Sequence, residues 1–300
     1  MAQVEVDGLT ISHEVRGDGE PLLLIPYTSA DHACYAFQLP SYTEHFSCIA
    51  VDLPGSGESD KPAGPYSTEG YADQVAAFLA AIGVESAHVA GVSLGAAVGM
   101  HLAARHPGRV RSLSLHSAWH ASDEYLKVVL EQWRTLASTL PTVADVVIQG
   151  IFPWCFTPEM YVDRPEFVES LEDFVRGRPA QPADAFVAQT DGVVAHDASA
   201  VLSVIDVPTL ITLERATLSA KRASQSRSRT ESPGASLWSS TTCRTPGCTR
   251  TRRPSTERRS TSYCASACDL GCATSDPASR GRTRDSGADR EPCSRGPQVA

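Results

Sequence analysis

The sequence predicts an α/β fold, a mostly parallel sheet flanked by helices, and three observations carry that expectation. Short continuous apolar runs such as Leu22–Ile25 and Cys48–Val51 read as strands buried on both faces of a sheet. Stretches with helical spacing, Ser67–Ile82 above all, alternate with them. A glycine-rich turn, Gly91-Val92-Ser93-Leu94-Gly95, then joins one apolar run directly to a helix of small residues. Strands alternating with helices at this spacing need crossover connections, and crossovers give parallel strands covered on both faces.

Val4–Val6 and Leu9–Arg16 flank Asp7-Gly8 and read as an antiparallel pair. Leu22–Ile25 and Cys48–Val51 follow, the second ending in the turn-forming loop Asp52-Leu53-Pro54-Gly55-Ser56-Gly57-Glu58-Ser59. Within Ser67–Ile82 the apolar residues Tyr71, Val75, Phe78, Leu79 and Ile82 share a face. Ser67 or Thr68 can cap that helix, Glu69 sits at its positive end, and Gly83 closes it. The run Ala87-Val89-Ala90 leads to the serine turn, a helix runs on to about His106, and Val110–Leu115 is the next strand.

From Ser117 the character changes to aromatic-rich amphipathic helices. Asp123–Leu140, Val143–Ile151, Arg164–Arg176 and Pro182–Ala195 fit them, with breaks expected at Pro141, Pro153, Pro158 and Pro179. The stretch Ile151-Phe152-Pro153-Trp154-Cys155-Phe156 suits either the lining of a pocket or core between helices. Val207–Leu213 reads as a buried strand returning to the main sheet.

The chemistry concentrates at Ser93. A strand-turn-helix around G-x-S-x-G forces the serine into a strained backbone, exposed where the helix begins. Gly91 and Gly95 are required because a side chain at either position would hold strand and helix apart. The free N–H groups and positive end of the helix then face any oxyanion formed on the serine. A plain Gly-rich turn is the alternative, and the strand before and helix after weigh against it.

Three segments, L-L-L-I-P-Y-T, D-L-P-G-S-G-E-S-D-K-P and H-V-A-G-V-S-L-G-A-A-V-G-M-H-L-A-A-R-H-P-G-R-V, together resemble the α/β-hydrolase fold family over about Gln3–Leu213. The resemblance implies residues 1–119 as hydrolase core, 120–200 as an inserted helical cap that selects substrate, and 201–213 as the return strand. It implies Ser93 as nucleophile and an oxyanion hole made by the backbone of Leu94 and Thr28. Where the family usually reads H-G-x, this chain has Pro26-Tyr27-Thr28, a departure that bears on the shape of that loop. A serine, where alkyl displacement uses aspartate, points to carboxylic esters or lactones, as in the esterase and enol-lactonase branches. A carbon–carbon bond hydrolase is the neighbouring alternative. No cofactor, metal, membrane or nucleic-acid partner is expected, and no oligomeric state follows.

The family pattern breaks after Leu213. A serine triad of this kind runs Ser, acid, His, with the imidazole taking the hydroxyl proton and the carboxylate orienting it. All nine histidines precede Leu213, the last being His196, so the expected acid and His are absent from their places. His116, His120 and His196 serve only in an altered geometry and otherwise read as packing or surface residues.

Residues 214–300 have a different composition. Before Leu213, Asp and Glu outnumber Lys and Arg almost three to one; after it the basic residues lead two to one. Arg, Ser and Thr supply 42 of these 87 residues, against three Leu, one Val and no Ile, Phe or Met. Such a segment buries too little apolar surface to offset the entropy of ordering, and reads as a disordered tail. A basic nucleic-acid arm is one account of it. A zinc site from Cys243, Cys248, Cys264, Cys268 and Cys272 is another, but the spacings fit no standard pair of knuckles.

A lost base accounts for more. Leu213–Ser219 can be encoded CTC GAG CGC GCG ACA CTG TC, and one restored G gives L-G-A-R-D-T-V, similar to the family's acid loop. The same offset over Ser236–Thr256 permits A-L-V-V-D-D-V-P-H-A-G-M-Y-E-D-P-E-A-F-N, a strand followed by a His loop. The recovered Asp straddles Ala216 and Thr217, the recovered His Arg244 and Thr245. The opening M-A-Q-V-E-V-D has no basic, apolar leader, and three scattered cysteines in the body suit a reducing compartment, so a cytoplasmic enzyme is expected. The other reading is a non-catalytic binding protein of the same fold.

Overall fold

The computed structural model describes residues 1–213 and, beyond them, the backbone of one strand, Ala235–Trp238. Its sheet consists of β1 (Ala2–Val6), β2 (Leu9–Arg16), β3 (Glu20–Ile25), β4 (Phe46–Val51), β5 (Ala87–Val92), β6 (Val110–His116), β7 (Thr209–Thr212) and β8 (Ala235–Trp238). They lie in the order β1-β2-β4-β3-β5-β6-β7-β8. The β1–β2 and β2–β4 pairs are antiparallel and all others parallel, the mostly parallel sheet that the sequence predicts.

The continuous apolar runs are explained by the two faces they serve. Leu23 and Ile25 of β3, with Ile49 and Val51 of β4, pack into one cluster; Leu22, Leu24, Cys48 and Ala50 pack into another on the opposite face. Each fully buried Leu or Ile of this kind contributes roughly 1.5–3 kcal/mol. On the first face lie α2 (Thr68–Ala81) and α3 (Leu94–Arg105), on the second the short α1 (Leu39–Tyr42). Ser67 is the residue that caps α2, its hydroxyl accepting from Gly70 N at 2.9 Å. α3 is buried nearly all round because it is built of small residues. A Cβ at Gly99 would stand 3.1 Å from Leu113 of β6.

Between β6 and β7 the chain inserts α4 (Glu124–Thr139), α5 (Val143–Val146), α6 (Phe152–Cys155), α7 (Pro158–Asp163), α8 (Pro165–Arg176) and α9 (Ala183–Val194). Asp123 caps α4 by accepting from Leu126 N at 2.8 Å. The break expected at Pro153 is corrected: a π turn over Val147–Ile151 carries the chain from α5 straight into α6. Pro153 sits in the first turn of α6, where a missing N–H costs little. Ile151 and Phe152 are buried against Ala137, Val143, Val146 and Phe186, so they form core between helices.

Two further expectations change. β7 is half-buried, not buried as the apolar run suggested. β8 pairs with it in parallel, Thr209 opposite Ala235 through Thr212 opposite Trp238, where no strand was expected past Leu213. Backbone pairing along a sheet edge asks little of the side chains, which is why composition gave no sign of it. The expectation of disorder for the rest of 214–300, and the cysteine and acid/His readings placed there, lie outside the described residues.

Candidate active site

β5 ends at Val92 and α3 begins at Leu94, so a single residue, Ser93, makes the whole turn. Its backbone sits at φ 53° and ψ −116°, a region costing a non-glycine residue about 1–3 kcal/mol. The conformation is enforced from both sides. Ser93 N donates to His116 O at 2.9 Å, and Ser93 O accepts from Ala96 N at 2.9 Å and Ala97 N at 3.1 Å. A Cβ at Gly91 would run into the Gly95 carbonyl, and one at Gly95 into the carbonyl oxygens of Ile25 and Pro26. Both glycines are therefore steric requirements, as the sequence implied.

The Gly95 contact also places the first turn of α3 against the end of β3, where the loop Pro26-Tyr27-Thr28-Ser29 leaves the sheet. This loop is a tight turn, with Ala30 N donating to Tyr27 O at 3.1 Å and Ser29 at φ 65°. Thr28 is buried and Ser93 half-buried. Among the described residues, neither Leu94 N–H nor Thr28 N–H has an acceptor. Tyr35 ties the two strand ends beneath them, its hydroxyl lying 2.7 Å from Ile25 O and 3.3 Å from Ala90 O.

The Asp52–Ser59 loop braces this region from behind. Asp52, fully buried, accepts from His32 N at 2.7 Å and Glu58 N at 2.9 Å, and its carboxylate lies 2.8 Å from His32 Nδ1. Burial lowers the proton affinity of His32, but the hydrogen bond and charge of Asp52 outweigh it and the net shift is upward. Asp31, His32 and Asp52 lie close enough to surround an ion. Their atoms are already engaged, Asp31 by Arg178 Nε at 2.8 Å and Ala33 N at 3.0 Å.

Two of the candidate histidines, His116 and His196, have rings engaged elsewhere. His116 lies opposite Val92 in the β5–β6 register, and its Nδ1 is 2.7 Å from Thr212 Oγ1, with burial lowering its pKa. His120 contributes its carbonyl to Ala198 N at 2.7 Å. His196 Nδ1 is 3.0 Å from Thr68 Oγ1, Nε2 is 3.3 Å from Trp119 O, and the ring stands edge-on to His101 at 5.4 Å. None of the rings of His116, His120 and His196 is hydrogen-bonded to the Ser93 hydroxyl; His116 meets Ser93 only through its backbone carbonyl. The altered geometry that His116, His120 or His196 would need is not found.

His196 carries a pH prediction. Burial, then the charge of His101, lowers its pKa from 6.5 to about 4. The unfolded chain takes up a proton near the ordinary histidine value and the native state does not, so stability is complete above about pH 6.5 and declines toward pH 4. The loss is on the order of 3 kcal/mol across that window. Urea midpoints measured at intervals between those limits check it. His196→Gln flattens the slope, and an unchanged slope in that variant rejects the assignment.

The sequence did not point to three residues of the inserted segment that reach the site's loops: Arg178, Gln181 and Gln189. Arg178 holds Asp31; Gln181 Nε2 donates to Gly55 O at 2.9 Å. A cavity of about 580 Å³ opens between these elements, lined by Tyr27, Ser29, Asp31, Ser56, Phe174 and Arg178 among others. Tyr27 and Ser29 of the Pro26-Tyr27-Thr28-Ser29 loop line this cavity, and Ser93 is not among its lining residues.

Sheet order, strained serine and glycine pattern together define an α/β-hydrolase. Residues 21–161 match that fold's family, and the chain belongs to it. RutD of Azorhizobium caulinodans, whose name as a carbamate hydrolase is provisional, is 30% identical over 200 residues, 66% of this chain and 74% of its own. The enol-lactonase of Burkholderia xenovorans superposes with a TM-score of 0.68 at 21% identity, over 79% of this chain and 90% of that one, a likeness of fold. Est816, described as an N-acyl homoserine lactone degrading enzyme, superposes at 0.61 with 26% identity, over 79% and 91%. Among the described residues no helix is long and apolar enough to cross a membrane.

Proposed function

We propose that this chain derives from a cofactor-free serine hydrolase acting on small carboxylic esters or lactones. The observation that carries the reading is the strained Ser93 at the head of α3, with Leu94 N–H and Thr28 N–H left without acceptors beside it. Ser93 Oγ attacks the carbonyl carbon as its proton passes to the general base, which returns it to the leaving alcohol, and the carbonyl oxygen becomes an oxyanion held by those two N–H groups. Collapse breaks the acyl–oxygen bond and releases the alcohol, or opens the lactone. Water then repeats the attack on the acyl-serine and frees the acid. The segment 120–200 serves as a cap over this centre and sets the substrate. Relatives named for a carbamate and for an N-acyl homoserine lactone support an acyl substrate, and carbon–carbon cleavage is the neighbouring alternative.

The acid and the general base belong, on this reading, to the frame lost at Glu214, so the chain as written is an impaired enzyme in a reducing, cytoplasmic setting. One observation favours a non-catalytic binding protein: the rings of His116 and His196 are bonded to other partners and not to the Ser93 hydroxyl. A fluorophosphonate probe separates the two. Labelling that maps to Ser93 and disappears in Ser93→Ala supports the hydrolase. No labelling, with salt-sensitive nucleic-acid binding that needs residues 214–300, supports the binding protein.

A further inference from the structure

We infer that Gln189, on α9 of the inserted segment, is a positioning residue for the oxyanion loop. The inference rests on the reading of Ser93 and Thr28 given above. Gln189 is only 1% exposed although it is polar and the residues sharing its helix face, Ala185, Phe186, Gly192 and Val193, are apolar. Its Oε1 accepts from Ser29 N at 2.7 Å, across 160 residues of chain. Its Nε2 donates to Tyr71 OH at 3.2 Å and Ser56 Oγ at 3.4 Å.

The amide can face only one way. Tyr71 OH already donates to Pro54 O at 2.9 Å, so it accepts from the Gln189 amide, and Ser29 N–H needs an oxygen. The loop itself supplies little order, having Ser29 at φ 65° and Ala30 N to Tyr27 O as its internal bond. Fixing Ser29 N fixes the Thr28–Ser29 peptide plane, and with it the residue whose N–H faces the developing oxyanion. Gln189 thereby replaces, from another element, the order that the family's usual H-G loop lacks in this Pro-Tyr-Thr version. It also couples the seating of the inserted segment to the quality of the oxyanion hole.

Gln189→Leu removes the acceptor at nearly constant volume and leaves the half-buried Ser29 N–H without its partner. The full-length chain and its variants are assayed with p-nitrophenyl acetate, with the uncatalysed rate as the background. Gln189→Leu lowers kcat roughly tenfold to a hundredfold, with KM within about twofold, because a displaced donor acts on the transition state and not on substrate binding. Gln189→Glu, which keeps an oxygen for Ser29 N, recovers most of the loss. Should the Leu variant fail to fold, Gln189→Asn takes its place, keeping the amide but withdrawing it beyond reach. An unchanged kcat in the Leu or Asn variant, a loss confined to KM, or a Glu variant no better than Leu overturns the positioning role alone. Wild type no faster than the uncatalysed reaction overturns the reading of the site, and the positioning role with it.

Discussion

Ser93→Ala abolishes ester hydrolysis in the frame-restored protein and leaves the fold unchanged. With an intact triad, removing the serine forfeits on the order of 10⁶ in kcat, and what remains is the oxyanion hole and binding. The fold is indifferent because Ser93 is held through its backbone: its N–H is bound by His116 O and its carbonyl by Ala96 N and Ala97 N, none of which involves the hydroxyl. Alanine has the same difficulty as serine at φ 53°, so the strain neither rises nor falls. Ser93→Gly is the useful companion, equally inactive yet more stable by roughly a kcal/mol, since glycine adopts that φ freely. Turnover of a simple aryl ester, read beside urea midpoints, checks both. A Ser93→Ala enzyme with near-normal turnover rejects the nucleophile, and an inactive one that has also unfolded leaves the loss to be assigned through Ser93→Gly.

Most of the architecture was legible because it rests on local chemistry. β3 and β4 declared themselves through apolar runs, since both faces of those strands are buried. The elbow was legible for a steric reason: Gly91 and Gly95 must lack side chains where backbone meets backbone, and that leaves a fixed spacing. The π turn before Pro153 was not, because its cause is tertiary: the Gly150 carbonyl accepts from Trp133 Nε1 at 3.1 Å, a partner on α4. Nor were the clasps of Arg178, Gln181 and Gln189, whose partners lie well over a hundred residues away. A buried glutamine amid Ala185, Phe186 and Val193 was the one local sign, and a helical pattern alone does not say what such a residue holds. The committed histidines were half visible: their number and order excluded the usual base, but only coordinates show His196 spent on Thr68 and Trp119.

Adding one base at the Glu214 codon raises turnover by several orders of magnitude and raises the soluble yield with it. Without its general base a serine hydrolase retains roughly 10³–10⁴ over the uncatalysed rate, and restoring Asp and His recovers the remainder. The structure adds a reason to expect the two gains together. β7 is half-buried, and β8 beyond it begins at Ala235 and ends at Trp238, after which the sequence turns to Ser239-Ser240-Thr241-Thr242. In the restored frame the strand A-L-V-V opens across the codons of Ser236 and Leu237, overlapping β8, so an apolar strand takes the position the present chain fills with four residues. A more apolar strand there covers the edge of β7 more completely, and its loop brings a histidine back toward the carboxyl ends of the parallel strands, where Ser93 sits. The comparison is between the present gene and the one-base insertion, expressed and assayed side by side. Equal activity and equal solubility would establish that residues 214–300 belong to the protein as they stand, and would reject the lost base.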